Sequence, residues 1–271
     1  NMKSSRWSSK RLLLTIRKLI VPVIILSVWH AVTSGGYVRP IILPGFVDIW
    51  ESAIDLAPLL PKSLVTTISM TLSGFVMGIS IGTAAGLLMV ASDVIRDMLG
   101  DLFDFLRPVP VFALIPLFIL WFGLGRAPQI ALITLGTSVI VGVSTVEAIR
   151  NVPSIYVRAA LTLGADRSTI YRTVVVPYIM PHLIGAIRVA AAASWGLDVA
   201  AEFMGSQSGL GYLIIMQGVY LMTSGIVFLV LCYSTLAILF DKLLGVIETR
   251  ITGWTERTVA TGAAGAIVGK G

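Results

Sequence analysis

Cysteine occurs once in this chain of 271 residues, at Cys232, and histidine twice, at His30 and His182. A lone cysteine excludes an internal disulfide and a cysteine-based metal site; it reads as a small packing residue in the last apolar run. Neither histidine has a second ligand at helical spacing, so both read as packing or interface residues and no metal is expected. The phosphate loop G-x-x-x-x-G-K-[ST] is missing, so the chain is not expected to bind ATP itself. H-E-x-x-H and G-x-S-x-G are missing too. With neither nucleophile nor metal site, no enzymatic role and no bound cofactor are expected. Transport, or a structural place in a membrane, remains.

Charge is the next scarcity. Charged residues make up 13% of the chain and hydrophobic ones 56%, with a mean hydropathy of +0.92; soluble domains carry roughly 25% charge. Residues 66–92 contain no Lys, Arg, Asp or Glu, and a helix of roughly 20 apolar residues crosses a bilayer core. An all-α, multi-pass membrane protein is therefore expected. The apolar runs predict six spans, at about 12–33, 66–92, 108–123, 129–149, 178–201 and 220–245, which puts both termini on one side.

The charge that is present is sided. One side receives Lys3, Arg6, Lys10, Arg11, Arg17, Lys18, Arg96, Arg107, Arg150, Arg158, Arg167, Arg172, Lys242, Arg250, Arg257 and Lys270; the other receives Arg39, Lys62 and Arg126. By the positive-inside rule the first side, with both termini, is cytoplasmic. The formal net charge of +6 is then an orientation signal, not a nucleic-acid footprint. The expected organisation is a cytoplasmic basic arm (1–11), one transmembrane domain (12–257) and a disordered tail (258–271). No small-residue cleavage pattern follows the arm, so the first span is expected to be retained. The external segment 34–65 holds a Pro44–Gly45 turn and an amphipathic stretch, 47–57, suited to the membrane surface.

Three patterns stand out in and between the spans. Gly74, Gly78, Gly82 and Gly86 share one helix face and invite a second helix to pack closely. Pro108, Pro110 and Pro116 fall in the third span, where freed carbonyls need partners or a cavity. Arg188, Asp198 and Glu202 fall on the fifth, and ionisable groups inside a membrane mark pathways by default. Asp198 and Glu202 are four apart and share a face; Arg188 lies about 15 Å further down the helix, too far for a direct pair. Residues 93–107 place four aspartates at helical spacing, a solvated face.

The run "RAALTLGADRSTIYRTVVVP" (158–177) is polar and structured for a connector. Pro153 suits a helix start, and Ile155, Ala159 and Leu163 recur at i, i+4 and i+8. Gly164 suits a left-handed cap, and Asp166 can cap the helix that follows. A short surface helix is expected, with Ala159 and Ala160 small enough for close approach. Such a helix either covers a loop or docks a partner.

This run resembles the EAA motif of bacterial ABC importer permeases. Ala159, Ala160, Gly164 and Pro177 match; Arg158 replaces the motif's Glu, and Val176 a Leu. "LPG" (43–45), "RPVPVFALIPLFILWFGLG" (107–125), "GAIRVAAAASWGLDVAAEF" (185–203) and "GLGYLI" (209–214) resemble the nitrate/sulfonate/taurine/bicarbonate subfamily. The resemblance implies the type I ABC importer permease fold in a bacterial inner membrane. Its coupling helix, about 153–164, would dock an ATPase through Ile155, Arg158, Ala159, Ala160, Leu163 and Gly164. Pro110, Pro116, Arg188, Asp198 and Glu202 become candidates for the translocation pathway or its gate. The implied partners are two cytoplasmic ATPase subunits carrying ATP and Mg, a second copy of the chain, a periplasmic or lipid-anchored binding protein, and membrane lipids. The implied substrate is a small oxyanion. Two carboxylates one turn apart favour a molecule with an ammonium group, so taurine or another sulfonate ranks above nitrate or bicarbonate. A secondary transporter, which would spread its carboxylates over several spans, is the alternative.

Overall fold

The computed structural model describes residues 2–252; the tail expected at 258–271 lies outside them, as do the side chains of the basic arm. Among the described residues the regular structure is helical. In chain order the elements are α1 (Met2–Ser34), α2 (Phe46–Leu56), α3 (Leu60–Ala91), α4 (Asp93–Leu106), a 3-10 turn (Val111–Leu114) and α5 (Ile115–Phe122). They continue with α6 (Arg126–Arg150), α7 (Ser154–Thr162), α8 (Arg167–Ile170), a π turn (Tyr171–Val175), α9 (Val176–Gly205), α10 (Leu210–Val219) and α11 (Thr223–Ile251). Among the described residues four stretches are each long and apolar enough to cross a membrane: α3, α6, the run Arg167–Gly205, and α11; a fifth is reached if the bent pair α4 and Val111–Phe122 is one span.

The third expected span differs. Residues 108–123 do not form one crossing helix: α4 and the segment Val111–Phe122 meet at a bend of 94°. The prolines are the cause. Pro110 caps the 3-10 turn, and Pro116 sits in the first turn of α5, where a missing N–H costs nothing. Breaking the helix removes the clash with preceding carbonyls that a continuous span would suffer. The eight residues of α5 reach only about 12 Å, well short of a bilayer core.

The chain forms two compact units, one from residues up to Val65 plus Ser208–Tyr233, the other from Thr66–Gln207 plus the residues from Ser234 on. In the first, the Trp29 indole N–H donates to the Pro44 carbonyl at 2.8 Å, and Trp29 and His30 both lie against the Phe46 ring. The expected turn at Pro44–Gly45 opens α2: the Gly45 N–H donates to the Asp48 carboxylate at 2.9 Å. Ser52 bonds Ser224 at 2.7 Å, and the Thr223 hydroxyl donates to the Ile41 carbonyl, fixing α2 to the start of α11.

In the second unit the glycine face of α3 lies against α6. A Cβ on Gly74 would stand 2.6 Å from the Ile133 Cβ, one on Gly82 2.5 Å from the Ser138 carbonyl, and one on Gly86 2.5 Å from the Thr145 Cβ. The four-residue spacing therefore exists for close approach. The hydroxyls on the facing helix are satisfied locally, Thr137 and Thr145 each donating at 2.7 Å to the carbonyl four residues back. Around this seam Phe75, Val141 and Ala190 are fully or almost fully buried, with Phe240 edge-on to both Phe75 and Trp195.

Candidate functional site

Two candidate sites lie in the second unit: the short surface helix and a polar seam along α9. The short helix expected at 153–164 is α7. Pro153 is its N-cap, one residue before the first turn. At the other end Gly164 adopts φ +78°, its N–H donates to the Leu161 carbonyl at 2.9 Å, and the Ala165 N–H reaches back to Ala160 at 3.0 Å. This pair of bonds is a Schellman cap, and its left-handed residue favours glycine. Asp166 then caps α8, accepting from the Thr169 N–H at 3.2 Å and from the Thr169 hydroxyl. These two bonds hold the Asp166 carboxyl below the usual carboxylate range.

The faces of α7 are distinct. Val157 and Ala160 turn inward onto a cluster containing Ala148, Ile149, Ile170 and Ile179. Ile155, at 69% exposure, and Leu163, at 87%, stand outward with Ala159. The expected docking set thus divides: Ile155, Ala159, Leu163 and Gly164 are exposed, whereas Ala160 packs inside and Arg158, though exposed, lines a cavity beside the helix. After α8 the backbone widens into the π turn before Pro177. The Pro177 ring would strike the Thr173 carbonyl of a regular α-helix, and the wider turn relieves that clash.

On α9 the three expected pathway residues separate. Asp198 and Glu202 have 0% and 1% exposure. Glu202 accepts from the Thr67 hydroxyl at 2.6 Å, which ties α9 to α3. Arg188 lies lower and reaches α11: its guanidinium grips Asp241 at 2.7 and 2.9 Å through one nitrogen and Glu248 at 2.9 Å through another. Asp241 and Glu248 were not expected from the sequence. Their signal is two acids seven residues apart on one helical face. Pro110 and Pro116 frame a segment whose Val111, Ile115 and Phe118 pack with Leu197 and Ala201 of α9, so the proline-broken region and the charged helix are neighbours. Gln129, at 2% exposure, is buried with neither amide atom bonded to protein. Among the described residues no cluster of His, Cys, Asp or Glu could hold a metal.

Residues 63–253 match the family described as the binding-protein-dependent transport system inner membrane component. The chain belongs to this family. A probable ABC transporter permease protein of Brucella abortus is 33% identical over 233 residues, covering 84% of this chain and 91% of that protein. The taurine transport system permease protein TauC of Escherichia coli is 27% identical over 257 residues, covering 92% of each. Among solved structures, an inward-facing MetNI methionine ABC transporter superposes with a TM-score of 0.59 at 20% identity, over 75% of this chain and 99% of that one. The fold is that of ABC importer permeases, and the chain is a multi-pass inner-membrane transport component.

In such a component the Arg188 cluster is a brace between two spans. Arg188→Ala strips the cation from Asp241 and Glu248. Charged hydrogen bonds contribute about 1.5–3 kcal/mol each when buried, and partial exposure reduces that towards about 1 kcal/mol. The unfolding midpoint in detergent is expected to fall by about 2–8 °C. The exchange Arg188→Asp with Asp241→Arg is expected to recover part of the loss; no recovery would reduce the cluster to an incidental contact.

Proposed function

We propose that this chain is the permease subunit of an ATP-driven importer in which two copies form the membrane pathway and each copy's α7 seats a cytoplasmic ATPase. The observation that carries this reading is the outward apolar face of α7. A rigidly capped helix presenting Ile155, Ala159 and Leu163 is what a helix-in-groove contact requires. A soluble-facing loop cover would turn those residues inward. The second copy has a candidate seat in the exposed Phe112, Leu120 and Trp121, beside the proline-broken segment. Pro110 before the 3-10 turn and Pro116 on α5, with Asp198 and Glu202 on α9, then lie along the pathway or its gate, and Arg188 braces it. An external binding protein delivers the substrate.

The substrate class is a small organic sulfonate, with taurine the first candidate. Support comes from the similarity to a taurine permease over nearly the full length. Asp198 is enclosed, so its charge does not rank the substrates. The test is ATP-dependent uptake of taurine, a simple alkanesulfonate and nitrate by the reconstituted complex with its binding protein. Sulfonate uptake at least several-fold above nitrate is expected. Nitrate as the best substrate overturns the assignment and leaves the importer reading standing.

A further inference from the structure

The ends of three apolar spans meet at one cavity of the second unit, about 850 Å³ in volume. Its wall draws Val90 from the end of α3, Ile149 and Val152 from the end of α6, and Ile170 and Val175 from the segment leading into α9. Two arginines, Arg158 on α7 and Arg167 on α8, line the same space. Neither has an ion-pair partner among the described residues. Asp93 also lines it, but its carboxylate is held by Arg96 at 2.7 Å. The cavity therefore combines an apolar wall with two uncompensated cations, at the level where the spans leave the membrane, on the side richest in Lys and Arg.

We propose that this cavity binds the headgroup of an anionic membrane lipid, its phosphate on Arg158 and Arg167 and its upper acyl carbons against Val90, Ile149 and Val175. A guanidinium matches phosphate geometry with paired donors, and basic pockets between spans on the cytoplasmic side suit acidic headgroups. The volume exceeds what a lone phosphate fills, and the apolar wall gives a bare anion nothing to contact. The proposal also accounts for a departure from the EAA pattern. A glutamate at position 158 would repel the phosphate, whereas Arg158 attracts it. A lipid held there lies behind α7 and steadies its inner face, leaving the outward face free for the ATPase.

The test is native mass spectrometry of the delipidated full-length chain, without the ATPase, offered phosphatidylglycerol, phosphatidylcholine or soluble glycerol phosphate. Wild type is expected to retain phosphatidylglycerol over phosphatidylcholine. The double variant Arg158→Gln/Arg167→Gln is expected to lose that retention on the order of 10-fold, each cation near a membrane surface contributing several-fold. Arg172→Gln, on the exposed π turn outside the cavity wall, is expected to retain it. The double lysine variant keeps the charge and is expected to retain part of the binding. Four results overturn the proposal. They are unchanged retention in the double glutamine variant, equal loss in Arg172→Gln, equal loss in the lysine and glutamine variants, and competition by glycerol phosphate at equal concentration, which would mark a free-anion site. Stoichiometric displacement of lipid by added ATPase would also overturn it, by making the cavity part of the docking seat.

Discussion

Replacing Ile155 and Leu163 together by aspartate is expected to reduce ATP-driven uptake to background while the chain stays folded in the membrane. Both side chains are largely exposed, so their loss removes little from the permease itself; surface changes usually stay within about 0.5 kcal/mol. In the proposed complex Ile155 on α7 and Leu163 at its C-cap are the two anchors. Burying an Ile or Leu side chain contributes about 1.5–3 kcal/mol, and a carboxylate forced into an apolar groove costs more than the lost contact. The affinity of the ATPase is therefore expected to fall by at least about 100-fold, on the scale where 1.4 kcal/mol is tenfold. Co-purification of ATPase with the tagged permease reads the loss directly, and unfolding temperature shows that the permease is intact. Wild-type co-purification in the variant would remove α7 from the interface. Gly164→Val is a milder companion, because the left-handed φ of +78° strains a β-branched residue and misaims the helix without touching its face.

The second large effect is expected at Gly82. Its absent side chain is what lets α3 and α6 approach, and the atoms a Cβ would meet are backbone: the Ser138 carbonyl at 2.5 Å and the Gly142 nitrogen at 3.0 Å. Backbone cannot rotate away as a flexible side chain would. Gly82→Ala is expected to cost about 1–3 kcal/mol, the usual range for overpacking, and Gly82→Leu to prevent accumulation of folded chain. Gly100 is the control. It lies within α4 with nothing within 4 Å of an added Cβ, so Gly100→Ala is expected to be neutral or to stabilise by up to about 1 kcal/mol through helix propensity. Protein yield and thermal unfolding in detergent separate these cases. Equal tolerance of alanine at both positions would refute the seam.

Features that depend on local pattern could be read in the sequence. The charge-free run of α3, the glycine spacing, the cap at Gly164 and the break at the prolines all follow from one residue's steric needs or one helix's periodicity. What escaped were pairings between segments distant in sequence. Arg188 is too far from Asp198 to pair along α9, and its carboxylates lie on α11, 53 and 60 residues away. Glu202 finds Thr67 across 135 residues, and a threonine in an apolar run carries no signal of its own. The sharpness of the bend at the third apolar run escaped for another reason. Hydropathy records how greasy 108–123 is, not that the backbone turns through 94° where Pro108 and Pro110 fall. Smallness alone, shared by Ala159 and Ala160, does not tell which of the two faces outward. On a helix, neighbours in sequence point about 100° apart, and only Ala159 belongs to the Ile155/Leu163 face.

That division of faces provides the most direct measurement. A photo-crosslinking residue is placed singly at 155, 159 and 163, and at 157 and 160, in the permease assembled with its ATPase in membranes. The docking account predicts a permease–ATPase adduct from 155, 159 and 163 and none from 157 and 160, whose side chains are half-buried against the cluster that holds Ile149 and Ile170. Adducts to lipid alone from the outer three positions, or ATPase adducts independent of face, would contradict it.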